Sequence, residues 1–125
     1  SEKIAKILNK VKGPFNTNFF AQEIAIKVLN DQNHINNVVK LNHEIKNWFE
    51  KELNNLNLKT RVTFGNFSLI ESNIKEANNI FNHLLDDGII VRKLDSYNLP
   101  NCLRITIGTM KEMETTLESL KKYHG

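Results

Sequence analysis

The chain has 125 residues, 40% hydrophobic and 25% charged, which fits one folded domain and excludes a disordered segment. Seventeen Lys and Arg stand against fourteen Asp and Glu, a net charge of +3 with the signs interleaved. That pattern excludes the clustered basic stripe of a nucleic-acid binder. A single cysteine, Cys102, excludes an internal disulfide and fits a reducing compartment. No apolar run reaches the roughly 18–20 residues of a membrane span, and Ser1-Glu2-Lys3-Ile4 lacks a signal-peptide layout. A cytoplasmic location is expected, with no nucleic-acid or membrane partner.

Ile4, Ile7, Leu8 and Val11 fall at i, i+3, i+4 and i+7, the apolar stripe of a short helix that enters at Ser1 without a cap. Gly13-Pro14 ends it, because proline lacks the amide and restricts the residue before it. Phe15-Asn16 reads as an extended connector. Thr17 or Asn18 caps a second helix, with Phe20, Ala21, Ile24, Ala25, Val28 and Leu29 in adjacent columns. Asp31 caps a third that runs to about Leu56, with Ile35, Val38, Leu41, Ile45, Phe49 and Leu53 stepping by three and four. The period then changes. Leu58–Phe64 and Asn66–Glu71 read as strands with Gly65 as a turn or bulge between them.

Asn73-x-x-Glu76 has the form of a capping box for a helix burying Ile74, Ala77, Ile80, Phe81, Leu84 and Leu85. Gly88 occupies the left-handed C-cap position before a strand Ile89–Arg92. Asp86 and Asp87 oppose the macrodipole of that helix and read as a solvated turn. Lys93–Asn101 reads as a loop. Cys102 begins an alternating strand that carries Arg104 and ends at Gly108, and Thr109-x-x-Glu112 caps a last helix through Met113, Leu117 and Leu120. The order α, α, α, β, β, α, β, β, α offers one strand-helix-strand crossover. The fold class is therefore α+β: a small, mostly antiparallel sheet of three or four strands, helices on one face, and N-terminal helices before it.

Histidine spacing argues against a metal. His34 and His43 lie nine residues apart on one helix, about 900° of rotation, on opposite faces. His83 and His124 have no sequence-local partner and read as exposed surface residues. Cys102 reads as a packed strand thiol, and the scattered glycines make no phosphate loop. The arginines carry more. A guanidinium buried alone among β-branched neighbours is costly and tolerable only beside an anion or at a wet cleft. Arg104 meets that description, and Arg92 ends the preceding strand, so the two could hold a doubly charged anion near one sheet edge. Pairing with an internal acid, Asp95 or Glu71, is the competing reading.

Several blocks resemble histidinol-phosphate aminotransferases, in the right order over nearly all of residues 10–120. They are Lys12-Gly-Pro-Phe-Asn-Thr-Asn18 with Ala21-Gln22, Asn66-Phe67, Asp87-Gly-Ile-Ile-Val-Arg92, Tyr97-Asn-Leu-Pro-Asn101 and Leu103-Arg-Ile-Thr-Ile-Gly-Thr109. The last block is the most specific; Gly-Pro-Phe-Asn is shared more loosely among related aminotransferases. The resemblance implies the C-terminal small domain of a fold-type-I, pyridoxal-phosphate-dependent enzyme. Residues 1–125 would be that single domain, 1–12 the end of an interdomain helix and 13–17 the connector, with the large cofactor-binding domain absent. It implies substrate binding by Arg104, on the carboxylate of glutamate or its counterpart, and by Arg92 on the phosphate side. Phe15, Asn16 and Tyr97 would lie near the mouth of the site. Gly65 departs from the alanine more frequent in the family.

The resemblance further implies that catalytic groups and pyridoxal phosphate belong to the parent enzyme. The fragment alone is expected to bind no cofactor or metal and to be inactive. The expected partners are the large domain, a second subunit in a homodimer, and the small molecules glutamate or 2-oxoglutarate and a phosphorylated amine. A free-standing α+β module that binds a regulatory anion through the same arginines is the alternative.

Overall fold

Capping chemistry sets the helix boundaries in the computed structural model, which describes residues 1–11, 13 and 18–124. The chain divides into two units, Ser1–Asn36 and Asn37–Gly125. The first holds α1 (Glu2–Val11), α2 (Phe19–Leu29) and the start of α3 (Gln32–Asn55). Asn18 is the cap of α2: its side chain accepts the Ala21 N–H at 2.8 Å. Asp31 opens α3 by accepting the His34 N–H at 3.0 Å. The apolar stripes of α1 and α2 are exposed along their length, Ile4, Leu8, Phe20 and Ile24 included.

The second unit carries a four-stranded sheet: β1 (Lys59–Arg61), β2 (Phe67–Glu71), β3 (Arg92–Leu94) and β4 (Leu99–Thr106). The strand order is β1-β2-β4-β3, and every pairing is antiparallel. The expected crossover is present: α4 (Ile74–Asp86) carries the chain from β2 past the position of β4 to the far edge, and β4 returns between them. One face is covered by helices. Ile45, Phe49 and Leu53 of α3, Ala77, Ile80 and Leu84 of α4, and Met113, Leu117 and Leu120 of α5 (Met110–His124) form one core with Ile70, Leu103 and Ile105 of the sheet. Alternation does the rest: with Leu103 and Ile105 turned to the helices, Arg104 must lie on the opposite face, which is helix-free within this unit.

Several boundaries differ from the sequence expectation. β1 stops at Arg61 rather than Phe64, because the Lys46 ammonium draws the Thr63 carbonyl and hydroxyl away from the ladder, at 2.5 and 2.6 Å. Residues 89–91 are not a strand. The Ile89 N–H closes back on the Leu84 carbonyl at 2.7 Å after Gly88, whose φ of 78° is the left-handed conformation expected there, so pairing begins only at Arg92. The supposed loop Lys93–Asn101 is instead a hairpin. A 3-10 turn, Asp95–Tyr97, is closed by Asn98 N–H to Asp95 carbonyl, and Asn98 itself takes φ 58°, which asparagine tolerates.

Burial also corrects four helical assignments. Val38 and Leu41 of α3 and Ile74 and Leu85 of α4 match the apolar period yet are exposed; Ile74 and Leu85 lie in the first and last turns of their helix, and Val38 and Leu41 precede the stretch of α3 that enters the core at Ile45. His83 is half-buried rather than a surface residue: its Nε2 lies 2.9 Å from the Ser119 carbonyl, and its ring meets Tyr123. Asp87 is more than a solvated turn, because it accepts the buried Ser119 hydroxyl at 2.7 Å and ties α4 to α5. Among the described residues no helix is long and apolar enough to cross a membrane.

Candidate functional site

The helix-free face is organised by register. Arg61 faces Leu69, Leu69 faces Arg104, and Arg104 faces Arg92, so one cross-strand row runs through all four strands. The three arginines of the chain all lie in that row. Residues directly opposite in a ladder have Cα atoms about 5 Å apart, and like charges so placed repel.

What balances them differs from one edge to the other. Arg61 is paired with Glu71 at 2.5 Å, and Lys59 approaches the same carboxylate at 3.6 Å. The Arg61 hydrogen bond, assisted by both cations and by Asn101, holds the Glu71 carboxyl down at about 2 against burial, which raises it. Glu71 is therefore committed to the β1 edge and does not serve Arg104, and Asp95 makes no ion pair with either arginine. Among the described residues neither Arg92 nor Arg104 has a carboxylate partner. Arg104 Nε is buried with no hydrogen-bond partner there.

Aromatic rings hold the two guanidiniums instead. Arg104 lies 5.6 Å over the Phe67 ring and Arg92 5.6 Å over the Tyr97 ring. Such contacts keep a cation in place without neutralising it. Both arginines line one open concavity of about 460 Å³, together with Thr106, Lys93 and the apolar Ile90 and Phe81. A third cation, a hydroxyl and apolar flanks suit an anion with a hydrophobic body.

The structure thus brings Arg92, Arg104 and Tyr97 together. Phe15 and Asn16 lie outside the described residues. Phe67 entered the sequence reading only as part of a resembling block; its place diagonally across from Arg104 follows from the β2–β4 register, which the sequence does not print. Cys102 is buried in the neighbouring row, and burial pushes its thiol up, as befits an inert packed residue. No group of three His, Cys, Asp or Glu able to hold a metal exists among the described residues.

The family model for class I and II aminotransferases matches residues 1–120. The chain belongs to that family. It is 37% identical to a histidinol-phosphate aminotransferase of Bacteroides thetaiotaomicron, over 100% of this chain and 36% of the relative. It is 34% identical to one of Akkermansia muciniphila, over 97% of this chain and 33% of the relative. The crystal structure of the histidinol-phosphate aminotransferase from Clostridium acetobutylicum superposes with a TM-score of 0.76 at 26% identity, covering 98% of this chain and 38% of that one. The chain spans about a third of the length of these curated relatives.

Aminotransferases of this family use pyridoxal phosphate, which needs a lysine presented to the cofactor in a formed pocket and groups that cradle its phosphate. The described residues do not fit it. Lys46 is their one buried lysine, and its ammonium is engaged by Thr63 and Gly65. What the site can do by itself is bind and orient an anion.

Proposed function

We propose that this chain is the small-domain part of a pyridoxal-phosphate-dependent aminotransferase that exchanges an amino group between histidinol phosphate and 2-oxoglutarate, in histidine biosynthesis. Its task in that enzyme is to grip the anionic end of the substrate. The observation that carries this reading is the opposed pair Arg92 and Arg104, uncompensated on the helix-free face and lining one concavity. Two like charges held face to face are unfavourable without an anion and favourable with one. Arg104, in the central strand, receives the carboxylate of glutamate or the corresponding group of its partner substrate. Arg92, on the edge strand, assists on the phosphate side, with Tyr97 fixing its plane. Neither moves a proton; both hold the substrate so that its amino-bearing carbon meets the cofactor.

Residues 1–12 in this reading end an interdomain helix and 13–17 form the connector. The cofactor lysine and phosphate cradle come from a large domain outside this chain, in an enzyme that works as a homodimer. The relatives' names and their threefold greater length support this division of labour.

In the complete enzyme, Arg104→Ala should lower kcat/KM by about 2–4 kcal/mol, the usual loss when a bidentate anion contact is removed. A near-normal kcat/KM would remove Arg104 from the mechanism. Titration of the 125-residue chain alone with phosphate or glutamate separates this reading from a regulatory module. Weak, millimolar binding is expected, and tight reversible binding would favour the module.

A further inference from the structure

The loop that enters β2 is held by one buried ammonium. Lys46, on α3 and 7% exposed, donates to the Thr63 carbonyl at 2.5 Å, to the Thr63 hydroxyl at 2.6 Å and, longer, to the Gly65 carbonyl at 3.4 Å. The Thr63 hydroxyl passes the connection on, donating to the Phe67 carbonyl at 2.6 Å. The loop between β1 and β2 is thereby tied to a core helix at Thr63 and Gly65, and through the Thr63 hydroxyl to the first residue of β2. The residue so positioned is Phe67, whose ring lies beneath Arg104.

Gly65 completes the arrangement. A Cβ built there would meet the Phe67 ring at 2.6 Å and 3.0 Å. The backbone at Gly65 is outside the left-handed region; among the described glycines only Gly88 has positive φ. Conformational freedom therefore does not require glycine at 65. What glycine leaves here is space, and in this chain the ring that supports the guanidinium fills it.

We infer that Gly65 and the Lys46–Thr63 clamp are positioning elements for anion binding: together they fix the Phe67 ring, and the ring fixes the plane and height of the Arg104 guanidinium. None of the three touches the anion. Their contribution is geometric, restricting a long flexible side chain before the ligand arrives, so that less freedom is lost on binding. The inference rests on Arg104 being the anion-binding group proposed above.

The chain's three arginines allow a direct test on the whole 125-residue protein labelled with nitrogen-15. Each arginine gives one Nε–Hε signal, and that of Arg104 carries the ring-current shift of Phe67. In Gly65→Ala the added methyl displaces the ring, so the Arg104 signal should move while those of Arg61 and Arg92 stay. Phe67→Leu should abolish the ring-current shift. The Gly65→Ala change should then have no further effect in the Phe67→Leu background, a non-additivity that a general loosening of the loop would not produce. Thr63→Val, which deletes the bridging hydroxyl with little change of volume, should move the same signal.

Titration with inorganic phosphate supplies the functional arm. Affinity should weaken about two- to fivefold in Gly65→Ala and in Phe67→Leu, the factor expected for a lost cation–aromatic contact. An Arg104 signal unmoved by Gly65→Ala, or additive effects in the double variant, would overturn the inference. Signals that shift as described with no phosphate binding in any variant would support the positioning device and overturn the anion-binding reading. The two failures are therefore distinguishable.

Discussion

Replacing Lys46 with methionine isolates the loop clamp from the rest of the core. The stem keeps its length and apolar contacts while the ammonium is lost. Two short charge-assisted hydrogen bonds go to Thr63 at 2.5 and 2.6 Å, and a weaker one to Gly65. Hydrogen bonds to a charged group contribute about 1.5–3 kcal/mol each, so the two short ones set a gross loss of about 3–6 kcal/mol. Two effects reduce it. The buried ammonium no longer has to be desolvated, and the Thr63 and Gly65 carbonyls lie near enough to the surface to take water. Glu50 also keeps a partner, the Ser68 hydroxyl at 2.8 Å. A net destabilisation of about 2–4 kcal/mol is expected. Urea unfolding followed through Trp48, the one tryptophan, reads it as a lower midpoint at unchanged slope. A midpoint equal to that of the parent chain would mean that desolvation cancels the clamp, and would refute its stabilising role.

Acid should act on the β1 edge. The Glu71 carboxyl is held at about 2, below its ordinary 4.5, chiefly by the Arg61 hydrogen bond. Its stabilisation is complete above pH 4.5 and lost as pH falls toward 2, so the parent chain should lose stability across that window more steeply than Glu71→Gln. Parallel pH profiles would refute the assignment. At the other end of the sheet, Glu112 accepts the Thr109 N–H at 2.7 Å and hydroxyl at 2.8 Å, which lower its carboxyl. Thr109→Ala should cost about 1 kcal/mol in urea melts, and an unchanged midpoint would show that the backbone bond alone suffices.

Legibility in the sequence followed the range of the interaction. Asn18, Asp31, Asn73 and Thr109 were readable as caps because the group each one satisfies lies three residues away. Gly88 was readable because a left-handed C-cap is a local demand. The end of β1 was not, because Lys46, seventeen residues upstream, decides where Thr63 points. Ile89–Arg92 misled for the opposite reason: a β-branched run has strand propensity, but the helix's C-terminal closure took the Ile89 N–H first. Arg92 and Arg104 could be singled out as anomalous residues. That they are direct partners depends on a hairpin built on Asn98, and that Phe67 lies beneath one of them depends on the β2–β4 register.

That register explains how one row of three arginines can serve two purposes. Glu71 is the one acidic residue on any of the four strands, and it stands one row away from the arginines, beside Lys59 and Cys102. From there it reaches Arg61 and leaves the central and far-edge strands without an acid. Had Leu69 been the acidic position, it would have faced Arg104 directly and neutralised it within the sheet. The apolar residue there separates a compensated edge from an uncompensated one. The sheet is consequently balanced at β1 and positive at β4 and β3, where Tyr97 and Phe67 each lie against one guanidinium without cancelling its charge. A face that needed only stability would distribute its acids across the row; this one concentrates like charge at β4 and β3, the arrangement that the proposed anion grip calls for.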